Sequence, residues 1–173
     1  MTVIAWIVEG TWPACVDAAG TYAPDGAEIV LLHITGRDVP SAAHGAYAGL
    51  LGRGRPGRDP GTRLEGMAAA SAQQLLRAAA ERLGRPCTRL ERSGRSEREV
   101  VAAEGADLLI LARDGDRARL GPRSLSPASR FVVDHAPCPV LLVWPETTPD
   151  IATIPPPPPH PPRRPDHNRQ RRE

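Results

Sequence analysis

"ILARDGDRARLGPRSLSPASRFVVDHAPCPVLLVW", Ile110 to Trp144, begins in one continuous apolar run and ends in another. Between them lies a loop rich in Arg and Gly. Ser126-Pro127 then supplies a hydroxyl able to cap a helix, followed by proline at the first helical position. The order reads strand, loop, helix, strand, with "PASRFVVDHA" as the helix and "VLLVW" as the closing strand. A loop running from a strand into a helix start is where α/β proteins hold phosphates, because the first-turn N–H groups lack partners inside the helix.

The same alternation extends outward toward the N-terminus. "VIAWIV", Val3 to Val8, is short, apolar and β-branched, as a strand buried on both faces should be. Thr11 is placed to cap a following helix, "WPACVDAAGTYA", with Pro13 tolerated in its first turn. "AEIVLLHI", Ala27 to Ile34, is the second strand. Thr35 to Gly61 is rich in Gly, Pro and Arg and reads as a long mobile loop. Thr62 and Glu65 suggest a capping box for a helix to about Leu83, with Leu64, Ala68, Leu75, Leu76 and Ala79 along one stripe and Gly84 as its stop. "CTRLER" alternates polar and apolar residues, which suits a sheet edge. Ser96 and Glu99 suggest a second capping box, and "DLLILA", Asp107 to Ala112, is the fourth strand. Five strands joined by mostly helical segments predict an α/β fold, a doubly wound five-stranded parallel sheet in a single domain over residues 1–145. Residues 146–173, with "IPPPPPHPPRRPDHNRQRRE", cannot bury a core and read as a disordered proline- and arginine-rich tail. That tail is either inert or a peptide for a protein partner with an aromatic groove or acidic surface.

Composition removes several function classes. All 22 basic residues are arginine, net charge is +2, and the arginines alternate with Asp and Glu. This is a mixed-sign solvated surface, and six scattered aromatics make no base-stacking platform, so nucleic acid is not an expected partner. Cys15, Cys87 and Cys138 form no CxxC pair and read as inert thiols, without a disulfide framework or zinc site. The N-terminus lacks a positive n-region and reads as a strand, and no apolar run approaches membrane-spanning length. A cytoplasmic protein without membrane contact is expected. The chain carries no lysine for a Walker-type phosphate loop or Schiff base, no GxSxG and no HExxH. No enzyme is expected, slow ATP hydrolysis apart, and no metal site. His33 is expected to be a satisfied residue at a strand end, and His135 to lie near a helix C-terminus. Asp134 reads as solvated, and His44 as an exposed loop residue.

"VIAWIVEGT", "AEIVLLHI", "ADLLILARDG" and above all "SRFVVDHAPCPVLLV" resemble the universal stress protein family over Val3 to Trp144. The resemblance implies a stress-response protein, usually a homodimer formed partly through the last strand, here Val140, Leu141, Leu142 and Val143. Some members bind ATP or AMP at the carboxyl ends of the strands; others bind no nucleotide and act as interaction modules. In nucleotide-binding members an acidic residue after strand one faces the adenosine, and here that position is Glu9. It either contacts a ribose or accepts backbone hydrogen bonds at the next helix start. Ile34 matches the position whose backbone meets the adenine edge.

The family's phosphate motif is Gly, two residues, Gly, nine residues, then Gly-Ser or Gly-Thr. Here those positions read Ala112, Gly115, Ser126 and Pro127, with ten residues between Gly115 and Ser126. Ala112 adds a methyl, Ser126 adds a side chain at the cradle, and Pro127 removes an N–H. Each lost charge-assisted bond should weaken phosphate binding by ~1.5–3 kcal/mol. Ser126, Ser129 and the N–H groups of Ala128 and Ser129 remain as donors. Leu111 and Arg113 flank the cradle, and Arg113, Arg117, Arg119 and Arg123 either reach phosphate oxygens or pair with Asp114 and Asp116. The expected site is therefore Glu9, Ile34, Leu111, Ala112, Arg113, Gly115, Ser126, Ala128 and Ser129. ATP or AMP would order the long loop and the Arg113–Leu125 loop, and Gly115→Val would abolish binding.

Overall fold

The structure, a computed structural model, describes residues 1–36, 60–103, 105–154 and 156. Most of the expected long loop, His44, and the tail from residue 157 onward lie outside the described residues. Five strands form one sheet: β1 (Thr2–Trp6), β2 (Glu28–Thr35), β3 (Thr88–Ser93), β4 (Leu108–Ala112) and β5 (Val140–Val143). The order is β3-β2-β1-β4-β5, and every pairing is parallel. The helices are α1 (Trp12–Tyr22), α2 (Pro60–Leu83), α3 (Ser96–Val101) and α4 (Pro127–His135).

Chirality dictates where the helices go. Crossovers between parallel strands are right-handed. The chain steps from β1 out to β3 in one direction, returns to β4, and continues to β5 in the other. The reversal sends α1 and α2 to one face and α3 and α4 to the opposite one. Strand alternation feeds two cores. Val3, Ala5 and Ile7 join Ile29, Leu31 and Ile110 under Val16, Leu76 and Ala79 of α1 and α2. Ile4 and Trp6 join Leu32, Leu109 and Leu111 under Val100 and Val132 of α3 and α4. Each fully buried Leu or Ile of this kind contributes ~1.5–3 kcal/mol. The two sheet edges differ: β3 is polar or charged at every position but Leu90, whereas β5 is apolar throughout and half-buried.

The doubly wound α/β architecture is as expected; the helix starts are corrected. Helix α2 is already running at Pro60, so Thr62 lies inside it rather than capping it. Helix α3 begins at Ser96 with Arg95 as its cap residue, and no side chain caps it. The Arg95 carbonyl accepts from the Arg98 and Glu99 N–H groups, both at 3.0 Å. The Glu99 carboxyl leans instead over Gly94, where a Cβ would meet its Oε1 at 2.7 Å. Thr11 sits at the α1 cap position, but its hydroxyl donates to Val8 O (3.4 Å) and caps nothing. Ser126 does cap: its Oγ accepts from Ser129 N at 3.2 Å, with Pro127 opening α4.

The chain stays on the fold beyond β5. Asp150 caps a 3-10 turn, Ile151–Thr153, and the Thr153 hydroxyl accepts from Leu120 N at 3.0 Å. Among the described residues, no helix is long and apolar enough to cross a membrane.

Candidate functional site

The order in which the chain adds strands reverses between β1 and β4, and crevices at such switch points, outside the carboxyl ends of the strands, are where ligands sit. A cleft of about 560 Å³ opens at this carboxyl end of the sheet, over the ends of β1 and β2. Its strand side is made by Glu9, His33, Ile34, Thr35 and Gly36, and its far wall by α2 from Leu64 to Leu75.

Each strand-side residue has a local reason for its place. After β1 the chain turns through Gly10, whose φ of +81° is a left-handed conformation costly for other residues. The Val8 carbonyl accepts from Thr11 N (3.1 Å) and Trp12 N (2.9 Å), and Glu9 is left exposed at the cleft. His33 is half-buried, and its Nδ1 lies 2.7 Å from Ile7 O. The carbonyl can only accept, so Nδ1 carries the proton and, in the neutral ring, Nε2 is an acceptor. The Ile34 side chain is buried in the α3/α4 core, so this residue offers the cleft only its backbone.

The α2 wall divides along its stripe. Ala72, Leu76 and Ala79 are buried against the sheet, while Leu64 and Met67, one turn and more beyond, are exposed at the cleft, Met67 by 70%. Apolar surface thus faces polar groups across the cleft, an arrangement suited to a flat, partly apolar ligand with a few hydrogen-bonding edges.

The loop from Arg113 to Leu125 lies apart from this lining and is closed on itself. Asp114 accepts from Ser126 N at Oδ1 (2.9 Å) and from Ser126 Oγ at Oδ2 (2.7 Å). Gly115 N donates to Ser124 O (3.0 Å), and Asp116 N to Arg123 O (2.8 Å). Asp116 Oδ1 accepts from Ala118 N at 3.0 Å. Arg113 donates to Ser124 Oγ, and its guanidinium lies 4.9 Å from the centre of the Trp144 ring. Arg117 pairs with Glu146 at 2.8 Å.

The expected site residues therefore separate into three groups. Glu9 and Ile34 share the cleft. Leu111 and Ala112 are buried in the two cores, and Ala128 packs against the α3/α4 core. Arg113, Gly115, Ser126 and Ser129 form the self-bonded loop and helix start. The expected choice for the aspartates is corrected: Asp114 and Asp116 bond to backbone and serine rather than to the loop arginines. Arg113 is engaged with Ser124 of the same loop and with Trp144, and Arg117 with Glu146. His33 and the α2 wall were not on the expected list. The "LLH" at the end of β2 and the apolar stripe running up to Leu64 were the signals for them.

Two further features bear on the chemistry. The Cys15 thiol is pushed up to about 12 by burial, with a smaller opposing pull from an Ala112 backbone group. It stays a neutral thiol at ordinary pH. Among the described residues, no group of three or more His, Cys, Asp or Glu is arranged to hold a metal ion.

Sheet order and crevice together define a doubly wound α/β protein with its cleft at the carboxyl ends of β1 and β2. The sequence matches the universal stress protein family over residues 11–143, and the chain belongs to that family. Solved structures share the fold. The hypothetical protein MJ0577 is 15% identical over 85% of this chain and 97% of its own, with a TM-score of 0.62. A universal stress protein in complex with cAMP is 16% identical over 84% and 98%, with a TM-score of 0.56. Universal stress protein UspA from Lactobacillus plantarum is 18% identical over 83% and 97%, with a TM-score of 0.52. No curated protein matches the sequence significantly.

Proposed function

We propose that this protein is a stress-response binding module that takes an adenosine-bearing ligand in the Glu9–His33–Ile34 cleft and does not turn it over rapidly. The observation that carries the reading is the cleft itself: an exposed carboxylate, a histidine with a fixed tautomer and a strand-end backbone face an apolar helix wall. A carboxylate suits ribose hydroxyls, backbone groups suit an adenine edge, and Met67 and Leu64 suit its flat face. A structural neighbour is described in complex with cAMP, which supports the adenine class. ATP and AMP would enter by their adenosine end. Gly115 N, Asp116 N, Ser126 N, Ser129 N and the Arg113 and Arg117 side chains are engaged within the fold, so phosphates would add little.

Calorimetric titration with adenosine, AMP and ATP tests this. Binding of all three with similar affinity is the expected result; no heat at millimolar ligand would sink it. The self-bonded loop also favours a second reading, a nucleotide-free homodimer joined through Val140 to Val143, with the proline-rich tail as a protein-binding segment. That reading predicts no ligand in the titration and loss of partner capture when the chain is ended before Glu146. A cytoplasmic location fits either reading.

A further inference from the structure

The place where a phosphate would be cradled does not fit one, because the chain supplies its own anion. A helix N-terminus favours negative charge through its unpaired N–H groups and the sign of its dipole. At the start of α4 that role is taken by Asp114, whose two oxygens accept from Ser126 N and Ser126 Oγ at 2.9 and 2.7 Å. The same Ser126 Oγ accepts from the buried Ser129 N at 3.2 Å, so Ser129 N, Ser126 Oγ and Ser126 N all lead to one carboxylate.

The loop has no slack to yield this position. Its backbone lies against the turn that precedes α4 so closely that a Cβ on Gly115 would sit 2.3 Å from Arg123 O. From outside, the segment after β5 straps it down. Glu146 holds Arg117 at 2.8 Å, Thr153 Oγ1 accepts from Leu120 N at 3.0 Å, and Trp144 lies under the Arg113 guanidinium. An incoming phosphate would meet a fixed negative charge where it needs donors, and Arg113 and Arg117 are turned to Ser124 and Glu146.

We propose that Asp114 is a specificity-determining residue: a built-in carboxylate in the phosphate position, by which the cleft selects adenosine-type ligands without reward for their phosphates. This rests on the adenosine reading of the cleft.

The test uses the full chain and compares the affinity ratio of AMP to adenosine in wild type, Asp114→Asn and Asp114→Ala. Wild type is expected to show a ratio within about threefold of one. Asp114→Ala, which frees Ser126 N–H and O–H, is expected to raise AMP over adenosine by about tenfold or more, the worth of one charge-assisted bond. Asp114→Asn keeps an acceptor for Ser126 N and preserves the fold while removing the charge, so a smaller rise in the same direction is expected. A wild-type ratio above about tenfold, or a ratio unmoved in both variants, overturns the proposal.

A second readout does not depend on adenosine. Hydrogen exchange at Ser126 N should be slow in wild type and indifferent to millimolar inorganic phosphate. It should be fast in Asp114→Ala and slowed again by phosphate. Phosphate slowing exchange in wild type, or failing to do so in Asp114→Ala, counts against the built-in carboxylate. If neither nucleoside nor nucleotide binds wild type, the cleft reading fails and the exchange arm still decides the role of Asp114.

Discussion

Gly115 shows how a residue can keep a motif position for a different physical reason. Its φ is not in the left-handed region, so conformational freedom is not what requires glycine there. The requirement is close approach: Arg123 O, Ser124 C and Leu125 C all stand within 3.0 Å of where a Cβ would be. Backbone atoms cannot swing aside as a side-chain tip can, so Gly115→Ala should destabilise the fold by ~1–3 kcal/mol, as overpacking does. Urea denaturation measures this, and an unchanged midpoint would refute it. Loss of nucleotide binding in Gly115→Val would accordingly report a disrupted loop, not a lost phosphate contact. The glycine was legible in the sequence; its partner was not, because nothing local marks residues 123–125 as lying beside it. Asp114 is the sharper case. The sequence displayed it among arginines, and the obvious partner for a carboxylate is a guanidinium. The structure pairs it with Ser126, twelve residues on, because the α4 start offers two donors in the geometry of one carboxylate.

At the scale of elements, strands were easier to read from sequence than helix starts. Continuous apolar runs such as Val3–Val8 and Leu108–Ala112 have one explanation, burial on both faces of a parallel sheet. A Ser or Thr followed three residues later by Glu has several: Thr62 lies inside α2, and Ser96 is the first residue of α3 rather than its cap. Only Ser126, backed by proline at the next position, caps as expected. The cleft wall was half-visible: the α2 stripe was evident, but which end packs on the sheet depends on where the helix crosses it.

Helices α1 and α2 are also joined on their outer side. Arg82 Nε and Nη2 donate to Asp17 Oδ1 and Oδ2, both at 2.7 Å. The Arg82 hydrogen bonds, helped by its charge, hold the Asp17 carboxyl below its usual range. A depressed carboxyl stabilises the fold above its unfolded value of ~3.9, and that contribution fades as pH falls through the lower folded value. Asp17→Asn should therefore lower Tm slightly at pH 7, and the gap to wild type should narrow as pH falls below the ordinary carboxylate range. A gap that persists at acid pH would mean the pair acts through packing. Because both side chains are half-exposed, the effect should also shrink in high salt.

For the whole molecule, the two edges of the sheet make opposite offers to a second copy. Edge β3 carries Arg89, Glu91 and Arg92, and charged edges discourage strand pairing. Edge β5 is Val140-Leu141-Leu142-Val143, with no charge to deter a neighbour. Its inner side is spoken for: Pro139 O and Val143 O accept from Leu109 N (3.0 Å) and Arg113 N (2.9 Å) of the β4 side. A strand's backbone groups alternate sides, so Leu141 also faces β4 while Val140 and Leu142 turn their N–H and C=O outward. Those outward groups are what a homodimer through this edge would use. Leu142→Pro removes one outward N–H and leaves the β4 ladder untouched, a substitution edge strands tolerate. It also trims a half-buried side chain, so circular dichroism must first show a folded variant. Sedimentation velocity should then find wild type as a dimer and Leu142→Pro shifted toward monomer. A monomeric wild type, or a folded variant that stays fully dimeric, would remove β5 as the contact and leave its apolar edge to be explained by packing within one chain.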